Sequence, residues 1–503
     1  MENLLQDIRY AVRGLRKSPG FTLVALATLA LGIGVNSSIF SIVNAILYRP
    51  LPVERPAELV DIYAHDATSS AHETWSYPNY QAVREQATTL SGVIGYSNFF
   101  AHLSIEGSSD LVVGELVTDG YFPVLGVRPA IGRAFNATEY SATNTFPVAV
   151  ISDRLWRSRF NAAPDVVGKQ FKMNGVVYSV IGVAPPAFGG MMPAVTAQMW
   201  IPTAMAEKVD PVGNQRTTGK STPGSILERR ERAWLWIKGR MKPGTSFGQV
   251  RAEMDGIAAR LSSLYPETNA QERASVVLTS DVRINPDFDK TVAPAGLVLV
   301  GAVALVLIVA CANLANLMLA RAAGRRREIA VRLAVGASRG RLVQQLMTES
   351  MVLALLGGAV AVPIAAYLSA LIARVQPPLP IDLGLRVTPD WRVLVFTLIA
   401  AVATGLVFGA MPALSASRPN LVPALKGGGN NGPKRRFEMR SALVVFQVAV
   451  SLVLVVGGAL MVRSLAVAGR VKLGYDSDRL AQLALAMEMN GYDKERAARF
   501  FEA

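Results

Sequence analysis

The chain alternates between long apolar runs and segments that carry its charge. Five runs contain no Asp, Glu, Lys or Arg, and each reaches the length of about 20 helical residues that crosses a hydrocarbon core of about 30 Å. These runs are 18–48, 291–320, 350–373, 393–417 and 441–462. We therefore predict a multi-span α-helical membrane protein whose five transmembrane helices occupy these ranges.

The charge between the runs is sorted by side. Segments 1–17, 321–349 and 418–440 together hold 17 Lys/Arg and 5 Asp/Glu, whereas the long segment 49–290 holds 24 of each. Because cytoplasmic loops of membrane proteins carry an excess of Lys and Arg, we place the basic segments, and with them the N-terminus, in the cytoplasm. Segment 49–290 then forms an extracytoplasmic domain, and 374–392 a short outer loop.

Two compositional features exclude other classes of protein. The net charge is +14, but the excess lies beside the predicted spans rather than on a soluble face, so we expect no nucleic-acid partner. Cys311 is the one cysteine of the chain. The outer domain is therefore expected to fold by packing alone, without an intrachain disulfide.

The N-terminal region resembles a signal peptide but is interpreted differently. In segment 1–17 apolar residues recur at helical spacing with basic residues between them, which is typical of an amphipathic helix in the inner interface of a membrane. The apolar run that follows is longer than a signal-peptide core, so we predict an uncleaved first span. Its polar residues Asn36, Ser37 and Ser38 mark the point beyond which we expect the helix to rise out as a stalk.

The outer domain is predicted to be mixed α/β. Two β-rich runs in 171–181 are joined by Asn174-Gly175, a strong hairpin signal. Apolar residues at helical spacing predict a helix over 247–264, with Thr245 or Ser246 as its N-cap. Further strands are predicted over 234–241 and 274–284, the latter leading straight into the second span.

Candidate chemistry in the outer domain is weak. Residues 213–221 read GNQRTTGKS, but five residues separate the first glycine from the Gly-Lys pair where a phosphate loop has four. His65, His72 and His102 lack the spacing of metal ligands. We find no constellation of catalytic residues, and we expect no enzyme activity, no cofactor and no metal.

The basic segment 321–349 allows two interpretations. It could serve only to set topology. Alternatively, its apolar stripes, with 336–340 breaking the helix in two, form a short helix that lies along the inner surface and is offered to a cytoplasmic partner. We favour the second interpretation because the segment is long and its apolar spacing is organised.

Several segments of the sequence resemble a known protein family. EIAVRLAVGASRGRLVQQLMTES, residues 328–350, resembles the cytoplasmic segment of the MacB/FtsX-like permeases of ABC transporters. SYPNYQAVREQATTLSGVIGY and VTDGYFPVLGVRPAIGRAF are similar to pieces of their periplasmic core domain. The opening residues 7–52 resemble one branch, the acidobacterial duplicated orphan permeases.

The resemblance implies an α/β domain of MacB periplasmic-core type over 49–290 and an FtsX-like permease domain over 291–417. It implies a non-enzymatic permease of a bacterial inner membrane, served by a cytoplasmic ATPase that docks on 321–349 and moves the outer domain to export or extract an amphipathic substrate. The implied docking residues are Glu328, Ile329, Arg332, Leu333, Val335, Gly336, Ala337 and Arg341. The alternative is a transmembrane signalling or scaffold protein that regulates a partner in the cell envelope.

The resemblance also implies partners and a second unit. Besides the ATPase and the lipid bilayer, we expect a second permease unit, in a longer chain or in a homodimer, and a periplasmic adaptor. In the duplicated branch both units share one chain. Segment 418–440 would then be the linker, 441–462 the first span of the second unit, and 463–503 the start of a truncated second outer domain.

Overall fold

The computed structural model divides the chain into two compact units, one built of long helices and one formed mainly by residues 46–293. It describes residues 2–44, 51–66, 71–105, 108–192, 196–212, 216–217, 223–282, 285–324, 331, 338–374, 391–416, 439–468 and 499.

The helical unit contains the predicted spans. Its helices are α1 (Glu2–Arg16), α2 (Pro19–Val43), α8 (Pro286–Gly324), α9 (Arg339–Arg374), α10 (Trp391–Ala416) and α11 (Met439–Ala468). Within the described residues, α2, α8, α9 and α11 are long and apolar enough to cross a membrane, and the described side chains of α10 add a shorter apolar stretch over Trp391–Leu406. The chain is thus a multi-span α-helical membrane protein.

Small residues bring α2, α8, α9 and α10 into close contact. A methyl group added to Gly32 of α2 would lie 2.7 Å from Cβ of Ala310 in α8, and one added to Gly357 of α9 would lie 2.7 Å from Cβ of Leu29. A methyl group added to Gly358 of α9 would likewise lie 2.9 Å from Cβ of Ala401 in α10. Because lipid tails are as apolar as the side chains, such backbone proximity, rather than hydrophobic exclusion, holds membrane helices together.

The polar residues in the middle of α2 correct our prediction of a stalk. Asn36, Ser37 and Ser38 are buried within the helical unit. The Ser37 and Thr397 hydroxyls share a hydrogen bond of 2.7 Å, and the Ser38 hydroxyl donates to the Ala365 carbonyl at 3.1 Å. These hydroxyls therefore join α2 to α10 and α9, since a polar group away from water must find a partner.

Helix α11 is packed differently from the other helices. Almost every described side chain from 441 to 467 is exposed, and Leu443 is the one hydrophobic residue of this stretch that is buried. The Asn316 amide of α8 donates to the Gln447 carbonyl oxygen at 3.5 Å. The apolar surface of α11 is left for lipid or for another chain.

The second unit is built on one large sheet. Its longer strands are β1 (Leu59–Asp66), β4 (Leu90–Ile105), β5 (Ser108–Val117), β7 (Val148–Ile151), β8 (Gln170–Met173), β9 (Val176–Val183), β10 (Met199–Pro202), β13 (Arg232–Met241) and β14 (Glu272–Leu278). Two-residue strands are β2 (His72–Glu73), β3 (Trp75–Ser76), β6 (Ile131–Gly132), β11 (Pro211–Val212) and β12 (Arg216–Thr217). Its helices are α3 (Tyr77–Gln86), α4 (Tyr121–Leu125), α5 (Asp153–Arg159), α6 (Phe247–Leu264) and α7 (Pro266–Asn269).

The central path of the sheet runs β14-β1-β13-β4-β5-β10-β7-β9-β6. Most neighbours are antiparallel, whereas β10 runs parallel to β5 and β7 parallel to β9. The 16-residue β4 bridges the two halves, because its first part pairs with β13 and its second part with β5. One core includes side chains of α3 and α6, and a second surrounds Phe122, Phe188 and Trp200.

Several local predictions for the outer domain are confirmed. β8 and β9 form the hairpin, and Asn174 and Gly175 both have positive φ, as a type I′ turn requires. Ser246 is the N-cap of α6 and forms a reciprocal capping box with Gln249. The strand predicted over 274–284 is shifted, since β14 covers Glu272–Leu278.

Two helix starts differ from the predicted spans. α8 begins at Pro286 rather than 291, because the Asn285 side chain accepts the Asp287 N–H at 2.8 Å and acidic residues occupy the first turn, where they favour a helix N-terminus. α9 begins at Arg339 rather than 350, and the Ser338 hydroxyl accepts the Arg341 N–H at 3.3 Å. Part of the basic segment is therefore continuous with the third span.

A buried carboxylate organises the second core. Glu115 of β5 accepts hydrogen bonds from the Tyr121 hydroxyl at 2.7 Å, the Trp200 indole at 2.8 Å and the Met191 N–H at 2.9 Å. Burial raises the pKa of Glu115, and these three donors together with Lys238 counteract part of that rise. The carboxylate thereby fixes the chain around Met191 onto the sheet.

Close packing of the helical unit predicts a sharp difference between two glycines. Gly357→Ala should lower the free energy of unfolding by about 1–3 kcal/mol, because the added methyl group has no space against Leu29. Gly301→Ala in α8 is the matched control, since a Cβ there meets nothing within 4 Å. Unfolding of both variants in detergent micelles tests this, and equal stability of the two would contradict the packing described.

Candidate functional site

The structure describes the two ends of the predicted docking segment. Of the eight predicted docking residues it describes Arg341. The other seven lie outside the described residues: Glu328, Ile329, Arg332, Leu333, Val335, Gly336 and Ala337. The last turn of α8 and the first turns of α9 flank them, and both meet α1. We call this meeting point, formed by Asp7, Gly14, Arg321, Arg341 and Glu349, the α1–α8–α9 junction.

The first ion pair of the junction joins α1 to the start of α9. The Arg341 guanidinium places Nη1 and Nη2 each 2.8 Å from one oxygen of the Asp7 carboxylate. The Asp7 side chain is 6% exposed and the Arg341 side chain 37% exposed. A bidentate pair of this kind fixes orientation as well as distance, because two parallel N–H···O bonds must form together.

The second ion pair joins the end of α8 to α9 and lies deeper. Arg321 Nη1 lies 2.8 Å from Glu349 Oε1, and the two side chains are 13% and 8% exposed. Arg321 Nη2 donates to the Gly14 carbonyl of α1 at 3.0 Å, and the guanidinium carbon stands 4.4 Å from the centre of the Phe21 ring. Arg321 therefore contacts α1, α2 and α9 at once, with a cation–π contribution from the ring.

Helix α1 presents a narrow face to this junction. Asp7, Ala11 and Leu15 are buried and stand four residues apart, so they lie on one side of the helix. Leu5 and Ile8 are exposed apolar residues on another side. The location of α1 in a membrane interface stays a prediction, and its exposed apolar residues are suited to one.

The arrangement fixes both ends of one segment to α1. Residues 325–337 are preceded by Arg321, which binds Glu349 and the Gly14 carbonyl, and followed by Arg341, which binds Asp7. Separating either pair would leave a carboxylate uncompensated in a buried place, which costs about 3–5 kcal/mol. Both ends of the segment are therefore attached to α1, and the Arg321–Glu349 pair attaches them to each other.

Sequence reasoning missed three charged residues of the junction, namely Asp7, Arg321 and Glu349. Asp7 shares a helical face with Ala11 and Leu15, and Glu349 directly precedes an apolar run. An acidic residue on an apolar face, in a chain whose segments are otherwise basic at this end, signals a buried pair. The identity of the arginine that pairs with it is visible only in the fold, because Asp7 and Arg341 are 334 positions apart.

The histidines and the glycine-rich loop can also be placed. His65 and His72 face each other in the β1–β2 pairing, with ring centres 6.5 Å apart. Throughout the described ranges, no group of three His, Cys, Asp or Glu residues could hold a metal. In the phosphate-loop look-alike, the described Arg216 and Thr217 form strand β12 against β13, and the remainder lies outside the described residues.

The sequence matches models of two protein families. The MacB-like periplasmic core domain matches residues 22–257, and the FtsX-like permease C-terminal domain matches residues 300–421. The chain belongs to the MacB/FtsX-like ABC-type permeases. The first match covers most of α2 and the outer domain as far as α6, and the second covers most of α8 and the span pair α9 and α10. Both ends of the segment between α8 and α9 therefore lie in the permease domain.

Individual relatives match over different lengths. A "Macrolide export ATP-binding/permease protein MacB" from Burkholderia lata is 27% identical over 61% of this chain and 40% of its own length. The "Uncharacterized ABC transporter permease YknZ" of Bacillus subtilis is 23% identical over 84% of this chain and 99% of its own. This permease chain thus spans between two fifths and half of the MacB relatives that it matches.

Among solved structures, the periplasmic region of MacB from Actinobacillus actinomycetemcomitans matches with 14% identity and a TM-score of 0.32. This match covers 49% of the permease and 97% of that structure.

The buried pair of the junction generates a stability prediction. Arg321→Gln should lower the free energy of unfolding by about 3–5 kcal/mol, because Glu349 loses its counter-charge in a buried place. Arg13→Gln on the exposed side of α1 is the matched control and should change stability by about 0.5 kcal/mol or less. Denaturant titration of both proteins in micelles measures the difference, and similar values for the two would show that the Arg321 pair does not stabilise the junction.

Proposed function

We propose that this permease couples a cytoplasmic ATPase to movement of its outer domain, and that the movement exports or extracts an amphipathic substrate. The observation that carries the proposal is the α1–α8–α9 junction, which anchors both ends of residues 325–337 to the helical unit. The chain itself is proposed to bind and hydrolyse no nucleotide, so the energy must come from a partner.

The junction suits this role because coupling requires a stiff connection. If the docking segment could move relative to α8 and α9, a displacement of the ATPase would not reach those helices. Here the Arg321–Glu349 pair ties the residues before the segment to those after it, and the Arg341–Asp7 pair ties the latter to α1. Both pairs resist separation because each contains a buried carboxylate. α8, whose last turn takes part in the junction, has its first turn at Pro286 in the second unit.

The proposed orientation follows from charge. The segments next to the junction are basic, and the positive-inside rule favours their cytoplasmic placement. The family and the apolar helices support a bacterial inner membrane protein. With the N-terminus in the cytoplasm, the docking segment faces the compartment that supplies ATP.

Further partners are proposed around the same unit. The exposed apolar surface of α11 includes Gly457 and Gly458, at which an added Cβ would meet nothing within 4 Å. Adjacent small residues allow another helix to approach closely, which supports a second permease unit as the partner of α11. A periplasmic adaptor is also proposed, and it rests on the family resemblance alone.

Docking of the ATPase is tested by charge reversal in the segment. Glu328→Arg should reduce the amount of ATPase that copurifies with tagged permease from native membranes, because Glu328 lies on the face predicted to meet the partner. Asp165→Arg in the outer domain is the matched control, since its side chain is 75% exposed and lies far from the segment in sequence. Equal ATPase recovery from both variants, at equal membrane insertion, would refute docking on this segment.

A further inference from the structure

The start of α8 is attached to the sheet through one histidine. The backbone N–H of His72 in β2 donates to Asp287 Oδ2 at 2.6 Å. The Nδ1 atom of the same residue lies 3.0 Å from Asp287 Oδ1. A single carboxylate in the first turn of the helix therefore receives both the main chain and the side chain of His72.

The residue before the helix completes the attachment. The Asn285 side-chain amide donates to the His72 carbonyl at 3.2 Å, while its oxygen accepts the Asp287 N–H at 2.8 Å. Both backbone groups of His72 and its ring are thus bound by the α8 terminus. β2 itself contains only two residues, so these bonds hold a short strand as firmly as they hold the helix.

His72 in turn packs against the centre of the sheet. Its ring meets Tyr63 of β1 edge-on with centres 5.1 Å apart, and Tyr63 meets Trp236 of β13 edge-on at 5.8 Å. His65 of β1 lies directly opposite in the strand pairing. Aromatic contacts of this geometry add to area burial. A displacement of the α8 terminus is therefore transmitted through His72 to two central strands.

Charged and titratable groups surround the ring of His72. Asp287 of α8 faces His72, and the Lys290 Nζ atom lies 3.6 Å from the same carboxylate. Asp289 follows two positions after Asp287 in α8. Facing His72 from β1 are His65 and Tyr63. Burial opposes ionisation of Asp287, but the hydrogen bonds from His72 and the nearby positive charges lower its pKa overall. The lowered pKa favours the carboxylate form of Asp287, which is the form that accepts both hydrogen bonds from His72.

We propose that His72 is a positioning residue that fixes the start of α8 to the outer domain, and that protonation of its ring tightens this attachment. The neutral ring offers one Nδ1–H bond to Asp287. A ring protonated on both nitrogens keeps that bond and adds a full positive charge beside the carboxylate, so protonation strengthens the attachment. The role in coupling rests on the proposed function, whereas the attachment itself does not.

Hydrogen exchange of the full chain in lipid nanodiscs tests the attachment directly. After correction for intrinsic exchange rates, amides of 287–292 and 71–76 should exchange about two- to fivefold more slowly at pH 5.5 than at pH 7.5, the range that a partly exposed ion pair supports. In His72→Gln this pH dependence should vanish. His65→Gln is the matched control and should retain it.

The outcomes distinguish a failure of this proposal from a failure of the proposed function. A His72→Gln variant that keeps the wild-type pH dependence, or a wild type that shows none, overturns the proposal. Unchanged protection of β4 and β13 verifies that the variant is folded. ATPase copurification by His72→Gln should equal that of wild type, because docking occurs elsewhere. Failure of Glu328→Arg to reduce docking would therefore count against the proposed function and leave the pH result standing.

Discussion

Two carboxylates buried where α1, α8 and α9 meet constrain this protein more than any other feature. Asp7 and Glu349 are each almost fully buried, and an ionised carboxylate in such a place is very costly unless a cation is held against it. Arg341 and Arg321 meet that requirement. Since the arginines lie on α9 and α8 and the carboxylates on α1 and α9, three helices must converge at one point.

The helices of this unit can approach closely enough for this convergence because small residues lie where they make contact. Gly32, Gly357 and Gly358 allow close backbone approach, and the hydroxyls of Ser37 and Ser38 add bonds between helices. Packing of this kind gives contact without long interlocking side chains. The ion pairs then fix the position of the junction along the helices. Contacts between small residues alone do not determine that position.

Much of the fold could be predicted from local sequence signals, whereas contacts between residues far apart in the sequence could not. The Asn174-Gly175 turn and the Ser246 cap each depend on residues within a few positions, so the sequence predicts them. Asn36 to Ser38 were assigned wrongly, because polarity alone does not distinguish a residue that leaves the bilayer from one that bonds another helix. The approach of His72 to Asp287 joins residues 215 positions apart and has no local signal.

The most direct test of the account is a charge swap at the junction. Asp7→Arg and Arg341→Asp alone each place like charges together, whereas the double variant restores an attractive pair with the charges exchanged. The quantity to measure is the ATPase that copurifies per permease from native membranes. We predict that both single variants lose ATPase and that the double variant regains it. If the double variant recovers no more ATPase than either single variant, the pair does not hold the docking segment in place and the account is wrong.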